Sequence, residues 1–296
     1  MQKLLHWLLA SPLRAGTAAA ALALTRILDI LGGALAATVT LRGGAAAGVQ
    51  ALAVAIPLIW FAGYWSGAGN MVLYAELALW LPVIAASLVL RRTGSLALMT
   101  QSVAVLVGFL VTAWYLADTD PLARLTSFVT DQFLPFYGEV FGKVPELDAA
   151  QREALAKVMP AAASATSLLV VSIAVMLGRW MQAVGFNPGG FRKDFHQLRQ
   201  GRSLTLLAVA LWVSAVVTGH MLAIAFAVLA SVLLAFQGLA LAHGVAGIRK
   251  ANPMWLWMLY GLLLFLTFQV GTLLMVIGAM DNWIDWRRHV GRSEDA

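Results

Sequence analysis

Long stretches without a single charged side chain run through this sequence, and they constrain its fold more than any other feature. Gly43–Ala75, Thr93–Ala117, Val158–Gly178, Ser203–Ile248 and Ala251–Met280 contain no Asp, Glu, Lys or Arg. Leu77–Leu90 is uncharged too and, joined to Met71 through Glu76, makes a further stretch. A helix of about 20 mostly apolar residues, rising about 1.5 Å each, spans the hydrocarbon of a bilayer. Inside that hydrocarbon only a helix or a closed barrel satisfies its own backbone hydrogen bonds. The expected fold is therefore all-α, a polytopic transmembrane helix bundle. Composition agrees: 61% of the 296 residues are hydrophobic and 11% charged, against about 25% charged in soluble domains.

The stretches imply about eight to ten membrane segments. Ser203–Ile248 is too long for one crossing, and Thr218-Gly219-His220 is its natural turn. At the N-terminus, Arg26, Asp29 and Gly32-Gly33 interrupt an apolar run. Two short helices, Ser11–Leu28 and Leu31–Leu41, fit this pattern, the second not spanning alone, and so does one tilted helix over Ala15–Leu41. After Pro253 the choice is one long helix or two broken near Thr267-Phe268-Gln269. Met1–Pro12 does not read as a cleavable signal, because the chain stays apolar far beyond a signal's length.

Basic residues cluster in the loops and predict orientation. Arg42, Arg91-Arg92, Arg179–Arg202 and Arg249-Lys250 alternate with loops lacking them. Arg179–Arg202 has five basic residues against Asp194 alone, whereas Asp118–Lys157 has four basic and seven acidic residues. The basic loops are expected in the cytoplasm and the acidic segment outside. With Lys3 and Arg14 inside as well, two N-terminal helices are favoured over one. The net charge of +6 is read as orientation signal and anionic-lipid contact rather than nucleic-acid binding. With 0 cysteines the chain has no disulfide and no thiol chemistry.

Three local patterns stand out. In the outer segment Leu122, Leu125, Phe128, Val129, Phe133 and Phe136 recur at helical spacing, predicting helices that rest on the membrane or cover an outward cavity. Pro145-Glu146-Leu147-Asp148 reads as the start of a second helix, with Glu153 and Lys157 paired at i,i+4. In the basic segment Asn187-Pro188-Gly189-Gly190 predicts a turn. Phe191, Phe195 and Leu198 then form a stripe flanked by Arg192, Lys193 and Arg199, expected on the cytoplasmic leaflet or against a partner. At the C-terminus Asp281, Asp285 and Arg288 share a helical face beside Arg287, with Trp283 and Trp286 in an interfacial belt.

Ionisable groups within apolar spans are the first place to look for function. Arg26 and Asp29 lie one turn apart. Glu76 is the one charged residue in its span, and Asn70, Trp60, Tyr64, Trp65 and Tyr74 surround the same outer end. Together Arg26, Asp29, Asn70, Trp65, Tyr74 and Glu76 are the candidate ligand-binding residues. His220, His243, Gln237 and Gln269 are expected to bond between helices. Gly44/Gly48, Gly63/Gly67 and Ala15/Ala19/Ala23 are small-residue patterns that permit close helix contact. No phosphate loop, nucleophile elbow or metalloprotease motif is present, so no enzyme, cofactor or metal is expected. A membrane enzyme with its acids and bases on separate helices stays open.

Gly185–Arg202, with its Asn187–Phe195 core and closing Leu198-Arg199, resembles the cytoplasmic loop of proteobacterial YybS-like multi-spanning proteins. Phe236–Ala240 followed by His243, Asp281-x-Trp283-x-Asp285-x-Arg287-Arg288, and Val39–Gly44 resemble further pieces of that family in the same order. By fold the family is similar to the S components of energy-coupling-factor vitamin transporters, bundles of about six helices that bind a small molecule near the outer face. The resemblance implies an S-component-like bundle over 1–181 including the outer segment 118–157, a cytoplasmic elbow over 182–202, and additional helices over 203–296. It also implies that Ala15, Ala19 and Ala23 meet a membrane partner. The two expected functions are a substrate-binding or transport subunit for a small metabolite, and a scaffold recruiting a membrane or cytoplasmic protein at its elbow. Both place the chain in a bacterial inner membrane.

Overall fold

Every element in the computed structural model, which describes residues 2–25, 28–67 and 69–294 (291–294 for their backbone alone), is helical. In chain order these are α1 (Gln2–Leu9), α2 (Pro12–Leu24), α3 (Asp29–Trp65), α4 (Met71–Thr93), α5 (Leu96–Ala117), α6 (Pro121–Phe128) and α7 (Leu134–Phe141). There follow α8 (Ala149–Phe186), α9 (Gly190–His196), α10 (Arg202–Thr218), α11 (Met221–Ile248), α12 (Met254–Phe265), α13 (Thr267–Ile284) and α14 (Trp286–Glu294). Among the described residues five helices (α3, α4, α5, α8 and α11) are long and apolar enough to cross a membrane. The number rises to six if α1 and α2, bent by 113° at their junction, form one span. Fewer elements therefore reach spanning length than the eight to ten segments expected, because α10 has 17 residues and α12 only 12. Phe265 and Phe268 are 84% and 82% exposed; so large an apolar surface is stable against lipid rather than water.

The N-terminal region is built as a hairpin within a hairpin. At Gly44 the backbone takes φ +78°, ψ −165°, a combination essentially reserved for glycine. There α3 folds back on itself. Val39 packs with Ala47 and Ala51, and a Cβ at Gly48 would collide with the Thr40 hydroxyl. The first arm (29–43) is about 22 Å long and the second (45–65) about 31 Å. Helix α2 packs on both arms: a Cβ at Gly16 would lie 2.6 Å from the Ala51 carbonyl, and one at Gly32 would lie 2.9 Å from that of Ala19. Two short N-terminal helices, rather than one tilted one, are thus what the chain forms.

The first arm is the centre of this half, with every residue from Gly32 to Leu41 buried. Small side chains allow that depth of burial. A Cβ at Gly178 of α8 would stand 2.7 Å from the Ala34 carbonyl. Arg91 of α4 donates to the Leu41 carbonyl at 2.5 Å and to that of Arg42. It caps the arm's last turn with a cation, where the helix dipole favours one.

The C-terminal helices follow their expected breaks. Gly219 (φ +60°) ends α10, and His220 caps α11 by accepting from the Leu222 N–H at 3.2 Å. Leu266 separates α12 from α13. Helices α11 and α13 run parallel and cross at Gly238 and Gly278, where backbone meets backbone with no room for a Cβ.

The two ends of the bundle differ in charge. Arg42, Arg91, Arg92, Arg179, α9 and Arg249-Lys250 gather at one end, and residues 118–157 occupy the other. At this acidic end Asp120 caps α6, accepting from Ala123 N–H at 3.0 Å. Residues 129–133 form a π turn, and Val129 and Leu134 pack on Ala156 of α8. Helix α8 begins later than the Pro145 start expected, at a reciprocal cap between Asp148 and Gln151. Its Glu153–Lys157 pair forms as expected, at 2.7 Å.

Candidate functional site

The first arm of α3 stops short of the acidic end, and that places ionisable groups at depth. It runs parallel to α4, with Gly33 beside Leu79 and Leu41 beside Arg91. Asp29 lies one turn before Gly32-Gly33, and Glu76 lies one turn before Leu79-Trp80. The two carboxylate-bearing residues therefore sit at one level on neighbouring helices. That level is about 8 Å below the start of α4 at Met71 and about 9 Å below the end of the longer arm, by helical rise. Glu76 and Trp80 are i and i+4 on one face of α4, 4% and 1% exposed. The edge of the Trp80 ring reaches 3.2 Å from a Cβ built on Gly32. Trp80 Nε1 and Asp29 Oδ1 are buried with no hydrogen-bond partner among the described residues. Such groups are costly in an apolar interior and mark a place built for polar contact. Arg26, the third charge expected here, lies outside the described residues.

The other residues expected around this site are placed elsewhere. Asn70 accepts from Trp60 Nε1 at 3.1 Å, tying the top of α3 to the start of α4. Trp65 and Tyr74 are strongly exposed, as is Tyr64. They form an outward aromatic girdle that suits the bilayer interface.

A second feature lies beneath the outer segment. A trough of about 490 Å³ runs between α4, α5 and α8. Its floor is set by Pro82 and Val107, and its roof by Leu125 and Phe128 of α6. Its lining is apolar apart from Ser164, Ser167 and the Trp114 indole N–H.

The third is a buried polar network at the basic end. Gln237 of α11, fully buried, accepts from the Gln200 N–H at 2.7 Å. Its amide donates to Asp281 Oδ2 at 3.2 Å and to Asn282 Oδ1 at 3.1 Å. Gln200 in turn donates to Thr100 Oγ1 at 3.0 Å and receives Gln101 Nε2 at 2.9 Å. Asp281 is fully buried, 3.5 Å from Arg287 Nη2 and 3.7 Å from Arg199 Nε. The network joins α5, the chain after α9, α11 and α13.

The C-terminal motif differs here from its expected form. A left-handed residue at Asp285 (φ +49°) ends α13, so Asp281, Asp285 and Arg288 do not share one helical face. Asp285 pairs with Arg199 instead of Arg288, and this contact, first by its hydrogen bond, holds the carboxyl below its ordinary pKa.

The elbow differs as well. Asn187, Pro188 and Gly189 make the expected turn, and Gly189 (φ +83°) leads into α9 at Gly190. The stripe that follows faces protein rather than lipid, with Phe195 and Leu198 buried and Phe191 stacked on Phe195 at 5.7 Å. Asp194 is held by Arg179 at 2.7 Å, while Arg192 lies against Gly247. His196 is pushed below its ordinary pKa by burial, then by Arg192, His243 and Arg287.

The remaining expected residues have intramolecular roles or none. Ala15, Ala19 and Ala23 are buried within the chain, packed among α2 and both arms of α3. His220 Nε2 meets Tyr115 at 3.1 Å, and His243 Nε2 meets Tyr260 at 3.1 Å. Both histidines, like Gln237, bridge elements as expected, whereas Gln269 is exposed. Sequence reasoning did not find Trp80, Gln200 or Arg199's carboxylate partners. The only local signal was Trp80 standing four residues after Glu76. Comparison with protein-family models, with characterised proteins and with solved structures gave no match to this chain.

Proposed function

We propose that the chain is a multi-pass protein of a bacterial inner membrane that binds a small polar metabolite from the outer side, as a substrate-binding or transport subunit. The observation that carries this reading is the level at which α3 begins. A hairpin that stops about 9 Å short of the acidic end sets Asp29 at the level of Glu76 and of the Trp80 indole, which has no hydrogen-bond partner among the described residues. Broken helices that present their N-termini and ionisable side chains within the membrane are the usual architecture of a transporter's ligand site. The ligand class that this reading favours is a small molecule carrying an amine for the Asp29 carboxylate and an acceptor for the Trp80 indole N–H. The resemblance to YybS-like proteins and S components points the same way. In this reading the acidic segment 118–157 faces outward, α9 faces the cytoplasm, and α10, α12 and α13 add crossings toward the eight to ten expected.

The test is a thermal-shift screen of the purified protein against amine-bearing metabolites, since a ligand that binds the folded state raises its stability by mass action. A stabilising metabolite is expected, and Asp29→Asn should lose most of its shift. A ligand whose shift survives both Glu76→Gln and Asp29→Asn would contradict the site.

The scaffold reading rests on a different observation, the solid Ala and Gly packing around the first arm of α3. It predicts that no metabolite in the screen shifts the transition.

A further inference from the structure

The trough beneath α6 is independent of the Asp29–Glu76 level, and it has the form of a lipid site. Along α8 its wall extends from Met159 to Val171, about 18 Å of helix. A volume of about 490 Å³ spread over that length makes a slender channel, within the roughly 300–1,000 Å³ typical of ligand sites. It exists because its walls carry small side chains and prolines: Ala78 and Pro82 on α4, Pro160 and Ala163 on α8. Larger residues at those positions would fill it.

Three features decide the occupant. The mouth is continuous with the lipid-facing side of α5, since Leu110 lines the trough and is 52% exposed, beside the outward Phe109 at 67%. Among the described residues no charged side chain lines it. Its roof is the apolar face of α6, whose other face carries Thr126 and Ser127 toward Glu153, with Asp120 at the helix cap and Asp131 in the following π turn. A helix amphipathic in this sense rests at the headgroup boundary, so the channel descends from that boundary into the hydrocarbon, as an acyl chain does. We infer that the trough holds one acyl chain of a phospholipid from the surrounding leaflet, roofed by Leu125 and Phe128 beside Trp114.

The experiment reconstitutes the full chain in nanodiscs containing a phospholipid with a photoactivatable diazirine in one acyl chain, and maps the crosslinks by mass spectrometry. Crosslinks are expected to concentrate on 106–114 and 159–171. They should fall several-fold there in Ala163→Phe, while labelling of α10 and α12 stays constant. A free fatty acid carrying the same diazirine, added to unlabelled nanodiscs, should label the trough less than the phospholipid does. Should it label the trough preferentially, the inference of a leaflet phospholipid is overturned. Labelling of the trough no denser than that of α10, or unchanged by Ala163→Phe, overturns the lipid site altogether. If Ala163→Phe does not fold, the native chain and Trp114→Phe are compared in lipids brominated on the acyl chain. The difference in quenched fluorescence isolates Trp114, which should be quenched strongly in the native protein. Quenching equal in the two proteins would again overturn the inference.

Discussion

Asp281 shows most clearly how a single side chain binds distant parts of this chain together. Its carboxylate is fully buried between Arg199, Arg287 and the Gln237 amide. Replacing it with Ala leaves Arg287, itself nearly buried, with only the more distant Asp285 as counter-charge, and breaking a buried pair costs up to roughly 3–5 kcal/mol. Asp281→Ala is expected to lower the melting temperature in detergent sharply, and Asp281→Asn by less, since the amide still accepts from Gln237. Equal, small effects would show that the network carries no stability. Glycine is as exacting at the α11–α13 crossing. A methyl at Gly238 meets the Leu274 backbone, and overpacking of this kind costs about 1–3 kcal/mol; Gly238→Ala should therefore destabilise more than Gly261→Ala, where the space is open. His196 adds a pH dependence. Burial and neighbouring arginines lower its pKa, so the unfolded chain binds its proton first as pH falls. The stability it leaves intact at neutral pH is lost as pH drops through its ordinary value of about 6.5. Hydrogen exchange in α9 should accelerate over that window, and His196→Gln should remove the change. Asp285 acts in a separate, more acidic range: its lowered pKa gives stability present above the ordinary carboxylate range and lost as pH falls through its folded value.

At the scale of elements, the decisive structure is the reversal at Gly44. With φ +78° and ψ −165°, any side chain there costs about 1–3 kcal/mol in backbone strain. Gly44→Ala should disrupt the α3 hairpin, read as loss of folded yield, while Gly94→Ala, at an exposed left-handed turn, should be milder. Much of this layout was legible. Arg42 reads as a loop position, Thr218-Gly219-His220 as a turn, and Arg26 with Asp29 as an interruption, because glycine and charge interrupt apolar runs in sequence itself. The level of Asp29 against Glu76 was not legible, since it depends on where the first arm slides along α4, and that is set by Gly33, Leu79 and the Arg91 cap together. Nor was the Arg199–Asp285 pair, 86 residues apart. Sequence spacing offered Arg288 as the nearer partner, and only the left-handed turn at Asp285 removes it. The stripe Phe191, Phe195 and Leu198 was read correctly as an apolar face, but periodicity does not tell whether lipid or protein covers it.

For the whole molecule, charge and depth make one account. The acidic segment caps one end, the basic elbow and the Asp281 network lock the other, and a short hairpin reaches up between them. Single cysteines are clean probes, because the chain has 0 of its own. Ala149→Cys should react with an impermeant maleimide on intact spheroplasts and Gln197→Cys only after lysis; the reverse pattern would invert the orientation. The most direct test of the hairpin is its depth in the bilayer. A spin label at Thr25→Cys, an exposed position at the end of α2 before the first arm of α3, should show high oxygen and low nickel-chelate accessibility, placing it within the hydrocarbon and well below a label at Tyr64→Cys. A label at Thr25→Cys as accessible to the nickel chelate as that at Tyr64→Cys would put this position at the surface, and contradict a site built around Asp29 and Glu76 at depth.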